Sequence, residues 1–184
     1  WSTGVSMADV NGDGFLDIYV CNSGDIKGDN KQNELYINNG NSTFTERAEE
    51  FGLAVKGYST HAAFFDYDHD GDLDCYLLNN SMRSVGNYDL IKDQRKIPDT
   101  LGGNKLYRND NNHFTNVSDQ AGITSNVLTF GLGVAISDFN NDGWPDISVS
   151  NDFNEPDYLF INNRNGTFTE QLRSAMDDIS LYSM

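Results

Sequence analysis

Three acidic loops are the part of this sequence whose residue types and spacing could do chemistry. They are Asp9-Val10-Asn11-Gly12-Asp13-Gly14-Phe15-Leu16-Asp17, Asp66-Tyr67-Asp68-His69-Asp70-Gly71-Asp72-Leu73-Asp74 and Asp138-Phe139-Asn140-Asn141-Asp142-Gly143-Trp144-Pro145-Asp146. Each loop has Asp or Asn at positions 1, 3 and 5, Gly at position 6 and Asp at position 9. Alternate side chains on a curled loop can converge on one centre, and carboxylate and amide oxygens are the ligands that calcium prefers. The spacing predicts one calcium ion in each loop, three Ca²⁺ in all.

The predicted ligands are four side chains per loop and the backbone carbonyl at position 7, which would complete the shell of oxygens. They are Asp9, Asn11, Asp13, Phe15 and Asp17 in loop one; Asp66, Asp68, Asp70, Asp72 and Asp74 in loop two; and Asp138, Asn140, Asp142, Trp144 and Asp146 in loop three. Because Asp, Asn and Gly are also common turn residues, one such loop alone could equally be a solvated turn. Three copies at the same place in a repeat favour the metal.

Other metals and another calcium motif fit the loops less well. Zinc spacing of Cys and His is absent from the sequence, and magnesium keeps its waters and rarely uses an all-protein cage. A helix–loop–helix calcium hand needs a Glu at position 12. That position is Val20, Leu77 or Val149 here, and the flanking segments are rich in β-forming residues.

The loops belong to a repeat of four short segments that the chain contains three times. The first segments are residues 1–9, 58–66 and 130–138, the second 17–20, 74–77 and 146–149, the third 34–37, 105–108 and 158–161, and the fourth 43–46, 113–116 and 167–170. They are β-branched or aromatic and bounded by Asn and Gly, which indicates strands. Four antiparallel strands repeated at about 50 to 70 residues predict an all-β fold, the β-propeller, with each acidic loop between the first two strands of a blade.

The repeat also predicts the division of the chain. Blade one is residues 1–54, blade two is residues 55–125 with a long insertion at 79–103, and blade three with a C-terminal tail is residues 126–184. Propellers close with four to eight blades. We therefore expect about three blades here of a larger, seven-bladed propeller, with more chain upstream of Trp1.

Composition excludes some classes of function. The chain of 184 residues has 28 acidic and 12 basic side chains, a formal net charge of -16. A nucleic-acid surface needs clustered Lys and Arg, so no nucleic-acid partner is expected. The longest purely apolar runs are about four residues, far below the length of a membrane span, so no transmembrane segment is expected. The two cysteines, Cys21 and Cys75, are expected to be buried thiols.

The chain resembles the FG-GAP repeats, also called VCBS repeats, of integrin α-chain propellers and many bacterial surface proteins. The resemblance rests on Phe130-Gly131 with Gly133-Val134-Ala135 and on the three Asp-x-Asn/Asp-x-Asp-Gly-x-x-Asp loops. The stretch from Asn151-Asp152-Phe153 to Asn163-Arg164-Asn165-Gly166-Thr167-Phe168-Thr169 is similar to the cartilage-acidic-protein group and its bacterial relatives. The resemblance implies an extracellular or cell-surface location, calcium between a blade's first two strands, and binding in place of catalysis.

The insertion at 79–103 distinguishes blade two from the other blades. It has four of the twelve basic residues (Arg83, Lys92, Arg95 and Lys96) and apolar Tyr88, Ile91 and Ile97. In a four-stranded meander the loop between the second and third strands leaves the face opposite the acidic loops. A long loop on a rigid scaffold often binds a partner. We expect a protein partner to dock there; the alternative is that the insertion only covers its own blade.

Three functions remain open from the sequence. The first is a non-catalytic, protein-binding or adhesion scaffold stabilised by calcium, secreted or anchored at the cell surface. The second is a lectin-like propeller that binds a glycan, and the third is a propeller domain attached to an enzyme. No catalytic residues are predicted, because His61, His69 and His113 occupy unrelated blade positions and no Gly-x-Ser-x-Gly elbow is present.

Overall fold

The protein, described by a computed structural model for residues 1–24, 31–81, 94–152 and 155–176, has three four-stranded antiparallel sheets. Blade one comprises β1 (Ser2–Ala8), β2 (Asp17–Asn22), β3 (Glu34–Asn38) and β4 (Phe44–Glu46). Blade two comprises β5 (Ser59–Phe65), β6 (Asp74–Asn79), β7 (Lys105–Asn109) and β8 (Phe114–Asn116). Blade three comprises β9 (Gly131–Ser137), β10 (Asp146–Asn151), β11 (Tyr158–Asn162) and β12 (Phe168–Glu170). In each sheet the strands lie in sequence order, which confirms the predicted propeller blades.

The apolar second strand of blade two follows from its place between two other blades. All six residues of β6 are buried, and a strand buried on both faces favours continuous apolar sequence over alternation. Its side chains divide between two cores. Cys75 and Leu77 pack with blade one, whereas Tyr76 and Leu78 pack with blade three. The blades therefore stack face to face.

The innermost strands approach one another closely. A Cβ at Gly4 of β1 would come within 2.2 Å of the carbonyl oxygen of Thr60 in β5, so only glycine permits this spacing. On either side of it, the hydroxyls of Thr3 and Ser6 donate to the carbonyls of Ser59 and Ala62, both at 2.5 Å. These contacts join blade one to blade two near the propeller axis.

Three one-turn helices follow the outer strands, and the repeat pattern did not predict them. They are α1 (Ala48–Phe51), α2 (Ser118–Ala121) and α3 (Leu172–Ala175). The first two end at Gly52 and Gly122, whose φ angles of 78° and 75° are left-handed, a common glycine conformation after a helix. Four residues are too few to show a helical period in sequence.

The insertion of blade two is described only at its two ends, and residues 82–93, with Arg83, Tyr88, Ile91 and Lys92, lie outside the described residues. Arg95 forms an ion pair with Glu155 of blade three at 2.8 Å. The carbonyl of Ile97 accepts a hydrogen bond from the N–H of Val127 at 3.1 Å. The described part of the insertion thus packs against blade three. In the described part of the chain, no helix is long and apolar enough to cross a membrane.

Candidate metal centres

The three acidic loops join the first and second strands of their blades and share one backbone shape. At position 4 the φ angles are 70° (Gly12), 59° (His69) and 57° (Asn141), and at position 6 they are 90° (Gly14), 98° (Gly71) and 89° (Gly143). Asn and His tolerate the left-handed region better than most residues. The larger angle at position 6 would strain any other side chain, which explains the glycine in all three loops.

The aspartate at position 9 attaches each loop to its blade. Asp17, Asp74 and Asp146 are fully buried. One carboxylate oxygen accepts the N–H of the residue at position 2, at 3.0, 3.0 and 2.9 Å. The other oxygen accepts the N–H of the last residue of the third strand, at 2.8, 2.9 and 2.8 Å. Each oxygen has a second lone pair, so this side chain can hold the fold and still ligate a cation.

In loops one and three, hydrogen bonds link the side chains at positions 1, 3 and 5 to one another and to the loop. The position 1 carboxylate accepts the N–H of position 5 at 3.1 and 2.9 Å and that of position 6 at 2.8 and 2.7 Å. The amide nitrogens of Asn11 and Asn140 donate to Asp13 and Asp142 at 3.0 and 2.9 Å. These two loops therefore satisfy much of their negative charge internally.

Loop two differs because position 3 is Asp68, which has no amide to donate. Asp66 Oδ1 and Asp68 Oδ1 are buried and have no hydrogen-bond partner. Ligand atoms of Asp66, Asp68 and Asp74 lie within 4.8 Å of one another, the one such group of three His, Cys, Asp or Glu side chains in the described part of the chain. Unpaired oxygens in a converging trio are the arrangement that a cation would satisfy.

The pKa shifts of loops two and three reflect the same difference, although burial also raises the pKa of Asp17 in loop one. Burial, together with the charges of Asp68 and Asp70, raises the pKa of Asp74 to about 7, against the hydrogen bonds from Asn109 and Tyr67. Burial and the neighbouring charges of Asp70 and Asp66 also raise the pKa of Asp68. In loop three, desolvation opposes ionisation of Asp142, but hydrogen bonds from the Trp144 N–H and the Arg164 side chain outweigh it and lower the pKa.

The predicted position 7 residues have different side-chain environments. In each loop their N–H donates to the carboxylate at position 5, at 2.9 Å. A Cβ on Gly40 would be 3.0 Å from the Phe15 ring, so this ring covers the β3–β4 turn of blade one. The Asp72 carboxylate accepts the N–H of Asn111 at 3.1 Å and lies outside the loop-two trio. The Trp144 ring stacks on His69, with ring centroids 4.1 Å apart.

Asparagines at the end of each third strand support the loops, and sequence reasoning missed them. The side-chain amides of Asn38, Asn109 and Asn162 donate to the carbonyl at position 8 of their own loop, at 3.1, 3.2 and 3.2 Å. Asn109 also donates to the carbonyl of Val10 in loop one, and Asn162 to that of Tyr67 in loop two, at 3.3 and 2.8 Å. The recurrence of Asn as the last residue of each third strand was the available sequence signal.

The residues of the loops fit a hard divalent cation. Their side-chain donors are carboxylate and amide oxygens, which suit calcium. Loop two supplies unpaired oxygens directly. In loops one and three, the cation would compete with the amide–carboxylate hydrogen bonds between positions 3 and 5. Bound calcium would supply positive charge that offsets the repulsion among the carboxylates of each loop.

The three histidines do not gather into a site. His61 is exposed on β5, His69 stacks on Trp144, and His113 is exposed in the β7–β8 turn. Cys21 and Cys75 are both buried and free, and burial raises the pKa of the Cys21 thiol to about 12. Neither cysteine therefore offers a thiolate nucleophile.

Comparison with known proteins gives results that agree with this geometry. A family model described as an FG-GAP-like repeat matches residues 9–77 and 97–149, about two thirds of the chain. Cartilage acidic protein 1 of Mus musculus is 26% identical over 193 aligned positions, which cover 95% of this chain and 27% of that protein. The chain thus spans about a quarter of the length of this relative.

Among solved structures, the fold is similar to that of an Agrocybe aegerita lectin studied for its specific recognition of non-reducing terminal N-acetylglucosamine. The TM-score is 0.51 at 21% sequence identity, and the match covers 92% of this chain and 38% of the lectin chain. This likeness concerns the fold alone. The match to the family model over most of the repeat is the stronger result, and with it the chain belongs to the family of FG-GAP-like repeat proteins.

Proposed function

We propose that this chain is a calcium-binding propeller module that binds a protein partner outside the cell and has no catalytic role. The observation that carries the proposal is loop two, where three carboxylates converge and two buried oxygens have no hydrogen-bond partner. Loops one and three place carboxylate or amide oxygens at the same positions between the same strands. We propose one Ca²⁺ per loop, held by the side chains at positions 1, 3, 5 and 9 and by the carbonyl at position 7.

The direct test is calcium titration of the metal-stripped chain by isothermal calorimetry. We expect three ions per chain, and the count should fall to two when Asp66→Ala removes a ligand of loop two. The matched control is Asp110→Ala, which removes an exposed carboxylate outside the loops and should leave three ions. A chain that releases no binding heat up to millimolar calcium contradicts the proposal.

An extracellular or cell-surface location follows from the same proposal. Extracellular calcium modules bind with dissociation constants of about 10⁻⁴–10⁻³ M, and such sites fill where calcium is millimolar. The name of the mouse relative refers to cartilage, which supports a location outside the cell. Dissociation constants for calcium below about 10⁻⁷ M would instead fit a cytosolic site.

The protein-binding role is proposed for the face opposite the loops, with the 79–103 insertion taking part. The insertion brings four basic residues, among them Arg83 and Lys92, to a chain of net charge -16, and their charge would favour an acidic partner locally. Arg83→Ala with Lys92→Ala removes two of these four basic side chains and keeps the described residues at both ends of the insertion. We expect this variant to bind an acidic model peptide, polyglutamate, more weakly at low salt. Unchanged binding together with a lowered melting temperature would mean that the insertion only covers its own blade.

Glycan binding is the second candidate, and one cleft favours it. Between blades two and three, a cleft of about 390 Å³ is lined by Trp144, Arg108, Arg164 and Gln120 among others, a size suited to a small ligand. One solved structure with a similar fold is that of a lectin. A glycan array with the calcium-loaded chain tests this candidate, and loss of any signal on Arg108→Ala with Arg164→Ala would place the sugar in this cleft.

A further inference from the structure

Loops two and three are in direct side-chain contact, and loops one and two are not joined in the same way. The Trp144 ring, at position 7 of loop three, stacks on the His69 ring at position 4 of loop two, with 20° between the ring planes. The corresponding residues at the interface of blades one and two are Gly12 and Asp72, which cannot stack. The aromatic contact therefore belongs to one interface only among the described blades.

A hydrogen bond reinforces this contact at the same interface. The Asn162 amide donates at 2.8 Å to the carbonyl of Tyr67, at position 2 of loop two. Through its own N–H, Asn162 also holds the carboxylate of Asp146 at position 9 of loop three, at 2.8 Å. One residue thus contacts the backbone of one loop and a predicted ligand of the next.

Both contacts involve positions that a bound ion would fix. His69 lies between Asp68 and Asp70, and the Trp144 carbonyl is itself a predicted ligand. We propose that calcium binding at loop two and calcium binding at loop three are coupled, with His69 as the positioning residue that transmits the effect through Trp144. An ion that orders loop two fixes the His69 ring, and the stacked Trp144 then holds loop three closer to its binding shape. This proposal rests on calcium binding by the loops.

Coupling between two sites is reciprocal, because each ligand must change the affinity of the other by the same factor. Disabling loop two with Asp66→Ala should therefore weaken calcium binding at loop three. Disabling loop three with Asp138→Ala should weaken calcium binding at loop two by an equal factor. Disabling loop one with Asp9→Ala should change the calcium dissociation constant of loop three by less than about twofold, since no side-chain contact joins those two loops in the described structure.

The experiment is a double-mutant cycle read by fluorescence. The chain has two tryptophans, so Trp1→Phe leaves Trp144 as the only one. Its emission reports calcium at loop three, and the Asp138→Ala variant, in which loop three is disabled, gives the part of the change that comes from loop two. His69→Asn removes the ring but keeps a residue that tolerates the left-handed conformation, as Asn141 does at the same position of loop three. With His69 present, we expect Asp66→Ala to raise the loop-three dissociation constant at least about fivefold, within the usual range for coupled sites. With Asn at position 69, the same change should have less than about a twofold effect.

The outcomes separate this proposal from the calcium proposal itself. If calorimetry of the unsubstituted chain finds no calcium binding, the calcium proposal fails. If three ions bind and Asp66→Ala leaves loop three unchanged, or changes it equally in both backgrounds, only the coupling through His69 is wrong. Should Asp66→Ala prevent folding, as judged by near-UV circular dichroism, His69→Asn in the intact chain still tests the idea. This variant should weaken calcium binding at loop three severalfold, and an unchanged dissociation constant would overturn the proposal.

Discussion

Loop two and loop three have the same backbone shape but different hydrogen bonding around their carboxylates. In loop three, the Asn140 amide and the Arg164 guanidinium both donate to Asp142, at 2.9 and 3.1 Å. In loop two, Asp68 replaces the asparagine and has a buried oxygen without a hydrogen-bond partner. One loop neutralises itself with protein donors, whereas the other leaves charge for an ion to neutralise.

The difference separates two tasks that the sequence motif combines. Positions 4, 6 and 9 build the loop, and they act in the same way in all three blades. Positions 3 and 5 decide how much the loop depends on a cation. Because buried like charges without partners oppose folding, we infer that metal-free loop two is the weakest point of the three, and that calcium stabilises it most.

The largest expected effect is that of calcium removal. A site with a dissociation constant of about 10⁻⁴ M gains about 1.5 kcal/mol at roughly 1–2 mM calcium, so three sites give about 4–5 kcal/mol. We expect excess chelator to lower the melting temperature by about 10 °C or more, as measured by differential scanning calorimetry. Blade two should lose amide protection first in hydrogen exchange. Equal melting curves with calcium and with chelator would contradict a stabilising role for the ions.

The next effect on stability should be present even in chelator, because it comes from the hydrogen bonds of the loop itself. Asp146→Ala removes the carboxylate that accepts two backbone N–H groups, and each buried donor left unpaired costs about 1–3 kcal/mol. We expect a loss of about 3–5 kcal/mol in the free energy of unfolding, measured by urea denaturation with and without chelator. Asp74→Ala should show a similar loss in chelator, and both variants should lose more in calcium, since position 9 is also a proposed ligand. A variant that is destabilised only in calcium would show that position 9 is a ligand and not a structural residue.

Much of this comparison could be anticipated from the sequence, because the blade repeat and the loop motif depend on local spacing. The strands follow from short β-branched runs, and the substitution of Asp68 for asparagine was visible in the alignment of the loops. The contacts between loops could not be predicted in the same way. The His69–Trp144 stack and the Asn162–Tyr67 hydrogen bond join residues distant in the chain, and their geometry depends on how two blades pack.

The third prediction concerns the asparagines at the ends of the third strands. Asn162→Ala removes side-chain bonds to Tyr67 and Pro145, and we expect a loss of about 1–2 kcal/mol at the interface of blades two and three. Asn109→Ala should cost less, since its bond to Val10 is longer, at 3.3 Å. Asn38→Ala, the matched control, removes an exposed bond to Leu16 and should cost least. Thermal melting of the three variants ranks them, and a reversed order would show that the cross-blade bonds carry little energy.

The smallest expected change in melting temperature is the most diagnostic, because its sign should differ with and without calcium. Asp68→Asn gives loop two the asparagine that loops one and three have at position 3. Without calcium, the change removes one charge from a crowded trio and adds an amide donor, so the variant should melt higher than the parent, by about 2 °C. With calcium, the loss of one negative ligand should weaken binding and lower the melting point relative to the parent.

The reciprocal change, Asn140→Asp, gives loop three the pattern of loop two and should show the opposite signs. It removes the amide that donates to Asp142 and adds a negative charge beside it, so the chelated protein should melt lower than the parent. Added calcium should then restore more stability than it does in the parent, because the new carboxylate gains a cation as its partner. Parallel shifts of both variants in calcium and in chelator would mean that position 3 acts through packing alone, and loops two and three would then be equivalent metal centres.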